Sequence, residues 1–402
     1  MAGIPQGAAR RMSSPLSRRG LLRTAVATAV AVPAVGLLTG SAGAVRPGGK
    51  AAAGLPLTVV NNSGAYDNAS VYVYIVGNDG TRQCYVTPEG ELKPVQLSDN
   101  GPDGYTDYAI SLTGTETTLT LPEMSGRIYV SCGDKLKFKA VDGGQGAALA
   151  YPAGWVSSDP NYPVVHDCAE FTYKGGAMYC NTTMVDMFSV PLSIALKGSK
   201  DQTTGTLKAG ARARVFEQVR GVEAFSRLVV DDKRVIAPGH GIGAGLFDDN
   251  YFAPYIDEVW SAYAGKDLRI TTNAGTFTGR VSGDTLAFTG PAQVSFAKPT
   301  TKDVLFCDGA LAAPNDGTTG PVAAVLGAAF NRTTLVSAAE QPTTDPASFY
   351  QGDLTHHYAK AMHEATEDGK AYGFAFDDVA GFASYIEDGA AQRMTLTLTP
   401  FG

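Results

Sequence analysis

The sequence predicts a mainly β protein, a barrel or sandwich of short strands with a mixed α/β region inserted before its last strand. Three observations predict it. From Leu55 to about residue 200, short alternating or β-branched runs are each closed by Asn, Gly, Asp or Pro, and no helical period interrupts them. From Arg212 onward apolar residues recur at helical spacing between further short strands. Alternation then returns at the very end, in Met394–Leu398.

The first strands are expected at Leu57–Val60, Val71–Val76, Thr118–Leu121 and Arg127–Ser131. Helices are expected over Arg212–Leu228, where Val215, Phe216, Val219, Val222 and Phe225 share a stripe, and over Tyr251–Tyr263, closed by Gly265. Strands follow at Leu268–Thr272, Thr276–Val281 and Val304–Cys307, and two more helices at Pro321–Ala329 and Thr355–Thr366. The organisation read from this is a linker at 45–54, a β domain over 55–200 completed by 371–402, and a mixed α/β domain over 201–370.

Residues 1–44 read as an export signal. Arg18-Arg19 precede an apolar run from Leu21 to Leu38, and Ala42-Gly43-Ala44 offers a cleavage site. The paired arginines point to the twin-arginine route and so to a secreted protein with no membrane attachment after cleavage. Losing that segment removes five arginines and no acid, which takes the formal net charge from −7 to −12. An acidic surface disfavours nucleic acid and anionic membrane as partners and suits a neutral polymer. The 402 residues, 44% hydrophobic, suffice for one large core or two smaller ones. Cys84, Cys132, Cys168, Cys180 and Cys307 form no CxxC pair, which argues against a metal clamp. Their odd number leaves at least one thiol free, and one or two bridges are allowed.

The stretch with most chemistry is Asp167–Leu196. Gly175-Gly176 between two alternating runs signals a two-residue hairpin turn. With those glycines at the turn, Lys174 opposes Ala177, Thr172 opposes Tyr179 and Glu170 opposes Asn181. Glu170, Thr172, Tyr179, Asn181 and Thr183 then share one face, while Phe171, Tyr173, Met178 and Cys180 take the core face. A carboxylate ringed by hydroxyls, an amide and an aromatic is the inventory of a sugar site. Asp186 has the wrong parity for that face unless the chain bends after Thr183. Glycoside hydrolysis needs one protonated and one ionised carboxyl group. Glu170, partly desolvated beside Tyr179, suits the acid, and Asp186 at a polar turn suits the ionised partner. Two acids on a β-rich surface are more often simply solvated, so spacing alone does not assign them.

AEFT (169–172) followed by NTTMVDMFSVPLSI (181–194) resembles the thaumatin-like glycoside hydrolase family 64, bacterial endo-β-1,3-glucanases that release laminaripentaose. LPLTVVNNSG (55–64), GRIYVSCGDKLKF (126–138), YFAPYIDEVW (251–260) and AYGFAFDDVAG (371–381) extend the similarity over nearly the whole chain. The resemblance implies a thaumatin-like β-barrel or sandwich domain and an inserted α/β domain flanking a wide groove. It implies an inverting mechanism with Glu170 as acid and Asp186 as base, Thr172 and Thr183 in the cleft, and no metal or organic cofactor. Tyr179 stands where the family often has Trp. The implied partner is β-1,3-glucan, acted on by a secreted monomer. A non-catalytic β-glucan-binding or antifungal protein on the same fold is the rival expectation, and a glucanase of another linkage is the third.

Other groupings carry less. Asp377-Asp378 fits either a cleft-lining acid or a turn cap. His356, His357, His363 and Glu364 lack an HExxH pattern and read as surface helix residues. Gly239–Gly245 lacks the Lys of a phosphate loop and reads as a flexible connection, or a groove edge. Trp260 falls on a helix stripe and is expected in the core.

Overall fold

The computed structural model describes residues 54–402; the expected export segment and nearly all of the linker lie outside the described residues. Two β-sheets face each other across one apolar core. The smaller runs Asp201–Thr204, Leu192–Lys197, Arg393–Leu398, Leu55–Asn61, Glu116–Leu121 in spatial order. The larger runs Tyr385–Asp388, Ala177–Asn181, Val165–Lys174, Met124–Cys132, Val71–Asn78, Gln83–Val86, Leu92–Pro94, with Ile110–Ser111 paired beside it. The alternation in Glu116–Leu121 explains its place, since every second side chain is buried. Leu57, Val59, Ile128, Phe171, Ile194 and Leu396 meet between the sheets. The last strand lies parallel to the first, Leu57 beside Met394, and antiparallel to Leu192–Lys197.

A second core belongs to the segment between those sheets' strands. The helices Ala211–Gly221, Ala253–Gly265, Gly320–Asn331 and His357–Ala365 pack with a five-stranded sheet around Phe225, Trp260, Phe277, Phe330 and Tyr358. Trp260 is buried there, as its helical stripe predicts. A small sheet of Met187–Phe188, Arg234–Ile236 and Val229–Val230 joins the two parts, and Phe188 and Met184 are buried in the second core.

Three expectations are corrected. Of the expected strand Val304–Cys307, residues 304–306 close the helix Thr301–Phe306 and Cys307 is its left-handed C-cap. Thr300 accepts the Asp303 amide while Asp303 reaches back to the Thr300 amide, and this capping box overrides a short apolar run whose period is ambiguous. His356 and His363 are not surface residues: His356 is buried and caps its helix by accepting the Ala359 amide, and His363 is largely covered. No disulfide forms, because all five cysteines are free and buried.

Candidate active site

The hairpin has the register that its glycines dictate: Lys174 opposite Ala177, Thr172 opposite Tyr179 and Glu170 opposite Asn181. Gly175 and Gly176 sit at φ 60° and 82°, the left-handed pair a two-residue turn of this kind requires. Because directly opposed residues share a face, the pairings extend into two rows across the sheet. One row is Arg127, Glu170, Asn181 and Tyr385; the next is Ser125, Thr172, Tyr179 and Glu387.

Glu170 therefore stands between Arg127 and Asn181, with Tyr179 one row away. This corrects the expectation that the Tyr179 ring desolvates Glu170, for that ring is 42% exposed and lies opposite Thr172. Arg127 donates to Glu170 Oε1 from Nε (3.1 Å) and from Nη2 (2.9 Å). Asn181 Nδ2 donates to Oε2 at 3.3 Å. Asn181 Oδ1 is buried and has no partner among the described residues. Thr172 Oγ1 is 2.9 Å from Ser125 Oγ.

Asp186 reaches the same place by the bend its parity requires, at Val185–Asp186. Immediately after it Met187 pairs with Ile236, and the Asp186 carbonyl accepts the Ala237 amide at 3.1 Å. That pairing carries the next segment, the short helix Pro238–Gly243, against the carboxylate. His240 Nε2 donates to Asp186 Oδ1 at 2.7 Å, and Arg127 Nη2 lies 3.8 Å from Oδ2. The imidazole is itself clamped, stacked on Trp155 at 4.3 Å and met edge-on by Phe306 at 5.4 Å. The Gly239–Gly245 stretch is thus largely an ordered helix, not a flexible connection, with Pro238 at its start.

One guanidinium group consequently faces both carboxylates, whose side chains are 19% and 23% exposed, open enough to meet a substrate. Beside Asp186 a cavity of about 20 Å³, walled by Arg127, Trp155, Thr183 and Met187, has room for one water molecule. Thr183 borders this cavity; its Oγ1 accepts the Val185 amide at 3.3 Å, and its backbone bridges to Tyr372.

Asp377 does not line this site. It has no exposed surface; Oδ1 accepts Arg332 Nη2 at 3.1 Å, and Oδ2 accepts His363 Nε2 at 2.9 Å and the Gly373 amide at 3.0 Å. Burial pushes its carboxyl pKa up, but the His363 and Arg332 charges and the donated bonds outweigh this and leave it below the ordinary value. Burial works against the His363 cation as well, yet Asp377 and the Gly369 carbonyl raise its pKa. Asp377 is a buried structural anion whose surroundings were not visible in the local FDD pattern. No cluster of His, Cys, Asp or Glu suited to a metal occurs among the described residues.

Sequence reasoning missed Arg127, His240 and Trp155. A charged residue in the middle of the apolar GRIYVSC strand was a signal for Arg127; nothing in PGHGIG marks His240. His240 holds the Asp186 carboxylate in one orientation. Replacing it with alanine is expected to lower kcat up to about 100-fold, with KM much less affected, because a displaced carboxylate misaligns the reaction. His240→Gln, which can still donate, recovers part of that loss. Equal kcat in His240→Ala and the parent rejects the role.

A β-1,3-glucanase family model, glycoside hydrolase family 64, matches residues 53–398. A glucan endo-1,3-β-glucosidase of Cellulosimicrobium cellulans is 34% identical over 376 residues, 89% of this chain and 67% of that protein. The crystal structure of a laminaripentaose-producing β-1,3-glucanase in complex with laminaritetraose superposes with a TM-score of 0.79 at 34% identity, covering 87% of this chain and all of that one. A β-1,3-glucanase domain from Clostridium beijerinckii follows at TM-score 0.76 and 28% identity, covering 86% of this chain and 98% of that one. With the family match spanning nearly all of the described residues, the chain belongs to glycoside hydrolase family 64, the β-1,3-glucanases.

Proposed function

We propose that this protein is a secreted endo-β-1,3-glucanase that cleaves internal bonds of β-1,3-glucan with inversion and releases laminaripentaose-type products. The observation that carries the reaction is the convergence of Glu170 and Asp186 on Arg127, with a cavity of about one water's size against Asp186. Glu170 is the acid: Oε1 is held twice by Arg127, so Oε2, which among the described residues meets only Asn181 Nδ2 at 3.3 Å, is the oxygen that carries the proton to the leaving group. Asp186 is the base: its carboxylate takes the proton of a water in that cavity as the water oxygen attacks the anomeric carbon, and His240 and Arg127 fix the direction of the carboxylate before the step. Thr172, Tyr179, Asn181 and Thr183 are the sugar contacts. The laminaritetraose named in the related structure supports the substrate class, and the Arg18-Arg19 signal supports export.

The test is digestion of linear β-1,3-glucan, with reducing ends counted and the anomer followed by NMR in early turnover. The expected result is α-anomeric oligosaccharide with the pentaose prominent. β-Anomeric product overturns inversion, and binding without new reducing ends favours the non-catalytic alternative. Culture supernatant assayed against cell lysate tests export.

A further inference from the structure

We infer that Tyr385 and Glu387, on the edge strand Tyr385–Asp388, form a further glucosyl-binding subsite two strands away from Glu170. The inference rests on the proposed substrate class and adds to it the side of the site that senses chain length.

Strand pairing fixes the geometry. Asn181 lies opposite Tyr385 and Tyr179 opposite Glu387, so both edge-strand side chains occupy the Glu170 face, while Ile386 turns into the core. Neighbouring strands are about 4.7–4.9 Å apart, which places Tyr385 roughly 10 Å from Glu170 along the row, about one glucosyl unit per strand.

Three features of these two adjacent rows call for a ligand. Asn181 Oδ1, between Glu170 and Tyr385, is a buried acceptor with no partner among the described residues. Leaving such an atom unpaired is costly, and a sugar hydroxyl lying along the row supplies the missing donor. Tyr179 is 42% exposed, the one aromatic among the exposed large apolar side chains of the described residues, and it offers a ring for a pyranose face. Glu387, directly opposite that ring, forms no ion pair among the described residues. Its Oε2 instead accepts the Tyr385 hydroxyl at 2.5 Å, and its backbone carbonyl accepts Gln202 Nε2 at 2.8 Å. An exposed carboxylate held in one orientation by a neutral hydroxyl keeps its other oxygen as an acceptor for sugar hydroxyls. A ring, an oriented carboxylate and an unfilled amide acceptor together are what a single glucosyl unit engages.

The experiment measures laminarihexaose binding by calorimetry to the Glu170→Gln protein, then to the same protein carrying Tyr385→Phe and Glu387→Gln. Dissociation constants are expected to rise about tenfold. Melting temperatures are recorded for each, and Tyr385→Phe alone, which keeps the ring, covers the case in which the Glu387 change disturbs the strand. Unchanged affinity in a variant that melts like its parent overturns the subsite, as does a parent that binds no hexaose. Activity is read separately on the unmodified enzyme. Absence of new reducing ends there, together with hexaose binding that depends on Tyr385 and Glu387, overturns the hydrolase and leaves the subsite standing.

Discussion

Replacing Glu170 with glutamine is expected to lower kcat on linear β-1,3-glucan by about 10³-fold, while the protein folds and melts as before. The size follows from the role, since a positioned acid or base contributes about 10²–10⁴-fold. Preserved folding follows from the site: glutamine keeps the oxygen that accepts both Arg127 bonds, so the guanidinium is not stranded. What disappears is the proton on the second oxygen. Asp186→Asn is expected to lose activity on the same scale by a different route. Its amide still meets His240 through the remaining oxygen, yet it cannot take a proton from water. Reducing-end assays on both variants, with melting curves as a control, check the pair. Activity within tenfold of the parent in either one removes that residue from the mechanism. A much larger loss for Glu170→Gln with a poor leaving group than with an activated aryl leaving group is the signature of the acid, and Asp186→Asn should show no such contrast.

The second large effect is on stability. Asp377→Ala is expected to destabilise the fold by about 3–5 kcal/mol, because it leaves two buried cations without their anion. Arg332 donates to the Asp377 carboxylate and carbonyl and to the Val379 carbonyl, and its guanidinium lies 4.8 Å from the Phe349 ring and 5.0 Å from Phe382. Little water reaches it. The effect has a pH signature. Asp377 has a depressed carboxyl pKa, so its contribution is present above the ordinary value of 3.8 and is lost as pH falls through the lower folded value. His363 has a raised pKa, so its contribution is complete below 6.5 and is lost as pH rises through the higher folded value. Both operate together between those limits. The stability difference between parent and Asp377→Ala should therefore be largest near pH 4–6 and shrink at alkaline pH, as the parent's His363 loses its proton. His166, held at about 4 by burial, weakens the fold on the acid side in both proteins, so the difference is the quantity to measure. Denaturant melts at pH 5 and pH 9 decide; an equal or larger difference at pH 9 shows that the His363–Asp377 pair does not carry the effect.

How much of the site was legible in the sequence follows from the range of the interactions involved. The Glu170 hairpin was legible because period-two alternation and a Gly-Gly turn are local, and together they fix register and face. The bend that rescues Asp186 was legible as a requirement of parity. The helix over Thr301–Phe306 reads as a strand from its apolar run, because four apolar residues carry no decisive period, although Thr300 and Asp303 have the spacing of a helix cap. The Asp377-Asp378 pair leaves a cleft acid and a turn cap both open, because a local acidic pair shows nothing of the Arg332 and His363 that enclose Asp377.

Short-range periodicity and contiguous motifs carry the strand-rich class, the return of the chain to a final strand, and the choice of Glu170 and Asp186 as candidate acids. What stands around those carboxylates comes from the packing of strands far apart in the chain. Arg127 is 43 residues from Glu170 and His240 is 54 from Asp186, and they meet through pairings of Val165–Lys174 with Met124–Cys132 and of Met187–Phe188 with Arg234–Ile236. Such partners are chosen by how whole strands stack and cross, which no local pattern encodes. The charge environment around the two acids is therefore a property of the fold.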